Sequence, residues 1–283
     1  MYKDHKIIAT TFAGRQDRMF LLVNYILKAL ELGIIDEYHI WDFSKNNNDK
    51  NWLSTLPSLH PNIKLFTDHH FEGGKRLDNQ WKPHYKFYTT ENFSEQTVIL
   101  KMDDDIVYID IDKLQGFIDF RISNPQYFIV SANIINNGVT AGLQQEYGAI
   151  PVDICPPTGF KYETFCGRLW NSGKLAESLH SYFIQNKSKF IKDGIFVQPV
   201  GDRISINFIS WLGKDFMYTE NCFADDELNL SITLPKKLNR NNCVYFPLLV
   251  SHLSFYKQTH EINEKIIIEE YKNLQKKELN NAN

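Results

Sequence analysis

Cysteine is scarce in this chain. The four in 283 residues, Cys155, Cys166, Cys222 and Cys243, form no C-x-x-C pair. That excludes the common zinc-finger and dithiol-redox patterns, and scattered thiols in a chain of this length read as reduced and intracellular. The N-terminus, MYKDHKIIATTF, lacks the apolar stretch of a secretory leader. No apolar run approaches the roughly 20 residues needed to cross a bilayer. A cytoplasmic setting is therefore expected, with at most peripheral membrane contact. The sequons at Asn92, Asn186 and Asn229 are read as chance in an Asn-rich chain. Charge of one sign is also lacking. A net charge of -3 gives no polyanion-binding field, so no nucleic-acid partner is expected. Internal repeats and a clear linker are absent too, so residues 1–283 are read as one globular unit.

Aromatics, by contrast, are plentiful at 14%, with 43% apolar and 23% charged residues overall. KIIATTFAG reads as a buried strand ending at Gly14. In the following RQDRMFLLVNYILKALELG, Phe20, Val23, Ile26, Leu27 and Leu30 recur at helical spacing before Gly33 stops the helix. EYHIWDF is a second strand. Strand, helix, strand predicts a mostly parallel sheet with crossover helices. NIKLF, TVILKMDDD, QYFIVSANII and CVYFPLLVSH read as further strands. IDKLQGFIDFRISN, a segment near Gly173 to Gln185 and EINEKIIIEEYKNLQKKE read as helices. Residues 1 to about 130 form the regular α/β half. Residues of about 131–260 form a less regular half, and 261–283 a C-terminal helix and tail.

The segment with most chemistry is Lys101-Met102-Asp103-Asp104-Asp105. Three carboxylates at the carboxyl end of a buried strand repel one another and call for a cation or solvent. That end of a parallel sheet is where ligands bind. In extended chain Asp103 and Asp105 point the same way. Hard oxygen ligands suit Mg²⁺ or Mn²⁺, often completed by substrate phosphates. His252, at the end of the strand CVYFPLLVSH, is the candidate third ligand beside Asp103 and Asp105. A second acidic cluster, Asp225-Asp226-Glu227, precedes that strand.

The ordered set KMDDDI, then DDELNLSI, then VYFPLLVSH resembles the D-x-D-type GT-A glycosyltransferases of the family-two kind. IIDEYHIWDFSKNNND resembles a branch of these found in bacteria and large DNA viruses. The resemblance runs from about residue 6 to 258. It implies a Rossmann-like GT-A fold and transfer of a sugar from a nucleoside-diphosphate donor, UDP favoured, to a glycan, lipid-linked or protein-linked hydroxyl, as in polysaccharide biosynthesis. Asp103 would contact the ribose or donor sugar, Asp105 would bind the metal and His252 would complete its shell. The donor side would be Thr11, Arg15, Asp42, Asp103 and Asp104. Asp42 would accept from a base N–H, Arg15 would meet the diphosphate, and Arg18 is read instead as a solvated residue on the helix surface. The acidic run departs from the family's Glu-Asp pair, so the base is Asp225, Asp226 or Glu227, with Asp226 favoured.

Two other classes compete. A nucleotidyl- or other phosphoryl-transfer enzyme would use the same carboxylates, but TTFAGR lacks P-loop spacing. A non-catalytic carbohydrate-binding protein on the same fold would tolerate loss of Asp105. GGKRLDNQWKPHYKFY is locally basic and aromatic, as single-stranded nucleic-acid sites are, yet the chain's acidity favours a diphosphate- or acceptor-facing loop or burial of its rings. Asp202, after Gly201, is read as a turn or cap residue.

Overall fold

The computed structural model describes residues 2–67, 71–72, 75–76, 82–89, 93–156, 168–219 and 225–281. The expected opening is there: β1 (Lys6–Ala13), α1 (Gln16–Glu31) and β2 (Glu37–Asp42), followed by α2 (Asn47–Thr55) and β3 (Ile63–Phe66). A two-stranded hairpin, β4 (Phe71–Glu72) and β5 (Lys75–Arg76), stands apart from the main sheet. Next come α3 (Lys82–Thr89), β6 (Thr97–Asp103), β7 (Ile106–Ile109), α4 (Ile111–Ser123), β8 (Val130–Ile135) and α5 (Gly138–Glu146). The second half adds α6 (Gly173–Gln185), β9 (Ile195–Gln198), β10 (Phe208–Leu212), β11 (Asn242–His252) and α7 (Glu264–Asn281).

One curled sheet runs through both halves in the order β3-β2-β1-β6-β10-β8-β11-β7, with β9 also on β11. The expectation of a mostly parallel sheet is corrected. β3, β2, β1 and β6 are parallel, but β10 enters antiparallel between β6 and β8. β11 runs parallel to β8 and antiparallel to β7 and β9. The sheet is therefore mixed. Helices cover both faces, and successive residues of β1 serve each in turn: Ile7 and Ala9 pack with α1 residues such as Leu22, while Ile8 joins Tyr85, Tyr88 and Trp211.

Two irregularities in β11 set up the site. Its register with β8 shifts between Tyr245 and Leu249, a stretch that includes Pro247, which has no N–H for a ladder. A second shift falls between Ser251 and His252 against β7. There the N–H of Leu253 donates to the carbonyl of Asp105 at 2.9 Å, which fixes His252 beside the acidic turn between β6 and β7.

His180 on α6 supports that strand end from behind. Its Nε2 donates to the Leu253 carbonyl at 2.8 Å, which leaves Nδ1 to accept from the Tyr271 hydroxyl at 2.8 Å. Complete burial lowers the His180 pKa to about 4, against the opposing pull of the Leu253 carbonyl. A neutral ring in the native state and a pKa near 6.5 when unfolded make this contribution full above pH 6.5 and lost as pH falls toward 4. We expect the stability gap between wild type and His180→Gln, measured by urea unfolding, to narrow by about 2–3 kcal/mol from pH 7.5 to pH 4.5. An unchanged gap would mean that His180 is charged in the fold.

Candidate metal centre and its cleft

The carboxyl ends of β1 and β6 lie side by side, with Phe12 opposite Asp103. The β6–β7 turn then offers its three carboxylates in three directions. Asp103, the most exposed, has Oδ2 accepting from Asn207 Nδ2 at 2.7 Å and Oδ1 3.4 Å from Lys101 Nζ. Asp104 turns inward. It accepts from the Gly14 N–H at 3.0 Å and is gripped by the Arg15 guanidinium. Burial pushes its pKa up to about 6, though Arg15 pulls the other way. Asp105 is 2% exposed, with Oδ2 3.0 Å from Arg15 and 3.5 Å from Arg18. Burial alone would raise this carboxyl, but His252, Arg15 and Arg18 together hold it well below the ordinary carboxylate range.

Asp103, Asp105 and His252 each present a ligand atom, all within 4.8 Å of one another. Within this group Asp105 Oδ1 lies 3.2 Å from His252 Nε2, yet Oδ1 is buried and has no hydrogen-bond partner. His252 Nδ1 is likewise buried and unpartnered. Buried polar atoms are ordinarily satisfied. Asp105 Oδ1 beside His252 Nε2, with the Asp103 carboxylate within reach, fits a metal ion.

The group opens onto a cleft of about 360 Å³. Asp226 faces it from the other side, accepting from the Tyr85 hydroxyl at 2.9 Å and lying 3.9 Å from Lys101 Nζ. Burial raises the Asp226 pKa, opposed by Lys101 and Tyr85. Glu227, also raised by burial, lines the same cleft and lies 3.3 Å from Arg203. Asp226 opens a helical run over residues 226–238 that includes a π-helical stretch at Asn229–Thr233.

Not every candidate residue reaches the cleft. Asp225 is exposed, caps the helical run with its Oδ1 accepting from the Leu228 N–H at 2.8 Å, and does not line the cleft. Thr11 is fully buried and its hydroxyl accepts from Tyr38 at 3.0 Å, so it belongs to the core rather than to a ligand. Asp42 is 3% exposed and one oxygen accepts from the Ser44 N–H at 2.8 Å, which makes it a turn residue. Trp41 beside it is core, stacked on Phe66 at 4.4 Å. Asp104 serves mainly to anchor the loop after β1. Arg18 is not on the solvated surface. It is buried, and one guanidinium nitrogen donates to both carboxylate oxygens of Glu264 at 2.7 Å while the other faces Asp105. Asp202 sits in a turn, its N–H donating to Pro199 at 3.1 Å. In the basic segment, Tyr85 and Tyr88 are buried; Trp81 and the side chains of Lys75 and Arg76 lie outside the described residues, as do Asn92, Cys166 and Cys222.

Lys101 and Asn207 line the cleft and the buried Tyr85 holds Asp226, roles that the sequence reading did not assign to them. Lys101 is 2% exposed, with its ammonium 5.0 Å from the Phe12 ring centroid and between Asp103 and Asp226. Its signal was available, because alternation along β6 puts Lys101 and Asp103 on one face.

No family model and no curated protein matches this chain. What stands is an α/β fold with a curled mixed sheet and a buried Asp-x-Asp-His group able to hold a metal ion. No helix among the described residues is long and apolar enough to cross a membrane.

Proposed function

We propose that the protein is a metal-dependent glycosyltransferase that moves a sugar from a nucleoside-diphosphate donor, UDP favoured, to an acceptor hydroxyl. The observation that carries this reading is the convergence of Asp103, Asp105 and His252 at the carboxyl ends of parallel strands, opposite a raised carboxyl on Asp226. Bound there by those three residues, a divalent ion would offset the charge that develops on the leaving diphosphate. Arg15, with a side chain 43% exposed, adds a guanidinium at the same cleft to which phosphate oxygens can bind. Asp226 takes the proton from the acceptor hydroxyl, a poor nucleophile until it loses it. Burial makes Asp226 a stronger base than an exposed carboxylate. Tyr85 and Lys101 hold it in place.

Thermal unfolding with UDP, GDP, dTDP and CDP, each with and without Mn²⁺, tests the reading. At about a hundred times its dissociation constant a nucleotide adds about 2.7 kcal/mol, a rise of roughly 5–10 °C. The rise is expected with one nucleotide and only with metal. Asp226→Asn is expected to keep the rise while lowering transfer about 10²–10⁴-fold. No rise with any nucleotide in the presence of Mn²⁺ would sink the proposal in favour of a phosphoryl-transfer or non-catalytic protein.

A further inference from the structure

Next to the acidic cleft lies a second cavity of about 230 Å³ that shares Ile206, Asn207, Glu227, Phe255 and Tyr256 with it. Its outer wall is an aromatic corner. The Trp170 ring meets Tyr256 at 5.3 Å and 87°, and Phe255 at 6.5 Å and 68°. Phe255 in turn lies 4.4 Å from the ring of His252, so the corner is continuous with the metal group.

The corner is held from behind by a reciprocal pair of buried amides. Asn136 Nδ2 donates to Gln258 Oε1 at 2.9 Å, and Gln258 Nε2 donates back to Asn136 Oδ1 at 3.1 Å. Gln258 also donates to the Leu169 carbonyl at 2.7 Å and accepts from the Phe255 N–H at 2.9 Å, which ties both sides of the corner to one side chain. Gly173 completes the support. A methyl group there would clash with the Gln258 carbonyl and the Ile262 nitrogen, so only glycine lets α6 approach this closely. The rings are thus placed before any ligand arrives.

The opposite wall is polar. Asn137 Nδ2 donates to Asn207 Oδ1 at 3.0 Å, and Asn207 Nδ2 donates to Asp103. Each amide nitrogen has two N–H groups and spends one of them here, which leaves one to offer a ligand. Glu227 adds a carboxylate.

Resting on the transferase reading, we infer that this cavity is the acceptor subsite and that the acceptor is a neutral glycan, with one pyranose ring seated against Trp170 and Tyr256. The C–H face of a pyranose complements the electron-rich face of an indole or phenol, and its hydroxyl edge suits amide and carboxylate partners. The size selects one ring, being below the roughly 300–1,000 Å³ of sites for drug-sized ligands. An acyl chain would strip water from Asn137, Asn207 and Glu227 without replacing their hydrogen bonds. An anionic sugar would meet Glu227 beside Asp226 and Asp103.

Saturation-transfer NMR on the full chain, without metal or nucleotide, is the test, using the methyl glycosides and β1,4-disaccharides of glucose, galactose, mannose and N-acetylglucosamine. The expected result is transfer to one face of a ring in at least one neutral sugar. Trp170→Ala should weaken it about tenfold or more, which is about 1.4 kcal/mol. Trp170→Phe should restore part of it, with unfolding temperature and the nucleotide–Mn²⁺ shift unchanged in both variants. No signal from any neutral sugar, or a signal indifferent to Trp170→Ala, overturns the inference. Either failure with the nucleotide–Mn²⁺ shift intact removes only this subsite. Loss of that shift in the wild type removes the transferase reading, whatever the sugars do.

Discussion

Asp105→Asn is expected to abolish the Mn²⁺-dependent rise in unfolding temperature and to lower stability without metal by roughly 3 kcal/mol. Asp103→Asn should abolish only the rise. The contrast comes from burial. Asp105 is enclosed and faces the buried Arg18 guanidinium as well as Arg15, so its neutral replacement leaves buried positive charge less compensated. Arg15 keeps Asp104 and Arg18 keeps Glu264, which places the cost at the low end for a broken buried pair. In a chain of this length that is a fall of roughly 6–12 °C. Asp103 is far more open, and the amide of Asn207 can pair with an asparagine as well as with a carboxylate. Thermal melts of both variants, with and without Mn²⁺, separate the two effects. A retained Mn²⁺ response in either variant would remove that residue from the metal group.

Arg18→Met should cost more, about 3–5 kcal/mol. Arg18 joins α1 to the C-terminal helix through Glu264 and reaches the metal group through Asp105. Methionine fills much of its volume but leaves Glu264 and Ser254 without the guanidinium. Arg18→Lys should recover only part of the loss, because one ammonium cannot contact Glu264 and, through a second nitrogen, also face Ser254 and Asp105. Urea unfolding of the two variants checks this. A change below about 1 kcal/mol for Arg18→Met would place the residue among weak surface pairs.

Arg18 also shows where reading the sequence fell short. Helical phase alone puts it on the face of Leu22 and Tyr25, four and seven residues on, both fully buried. Charge outweighed position in that reading. Position would have been the better guide, since a partner 246 residues away in Glu264 cannot be seen locally. Helices with strong periodicity were legible: α1 and α7 lie where their apolar spacing placed them, and α6 spans the expected Gly173–Gln185. β7 was missed because four residues directly after an acidic turn carry no alternation to mark them. The antiparallel entry of β10 was illegible for a different reason. ISINFISWLG reads only as short and apolar, and strand direction depends on a partner, β6, over a hundred residues distant.

Within the site, Asp103, Asp105 and His252 were found because D-x-D alternation and a strand-terminal His are local patterns. Thr11 and Asp42 do not line the cleft, because the end of a strand offers two faces, and packing against Tyr38 and the Ser44 turn decides between them. The cap spacing of Asp225 to the Leu228 amide was a usable signal. Asn207 had none. It gains its role only because β10 starts beside the end of β6, where the Asp103 N–H donates to the Asn207 carbonyl.

That placement of β10 bears on how the chain reaches its native state. In the main sheet, residues 1–130 can pair only β3, β2, β1 and β6, and leave the long edge of β6 open. The strand that closes this edge is made about a hundred residues later, and β11, which joins β8 to β7, later still. During synthesis the acidic turn therefore sits on an unfinished sheet, with an apolar edge exposed until residue 212 has emerged and His252 absent until β11 follows. Pairings this distant close slowly. The metal group is thus among the last features to assemble, so a chain that displays it has already completed its sheet.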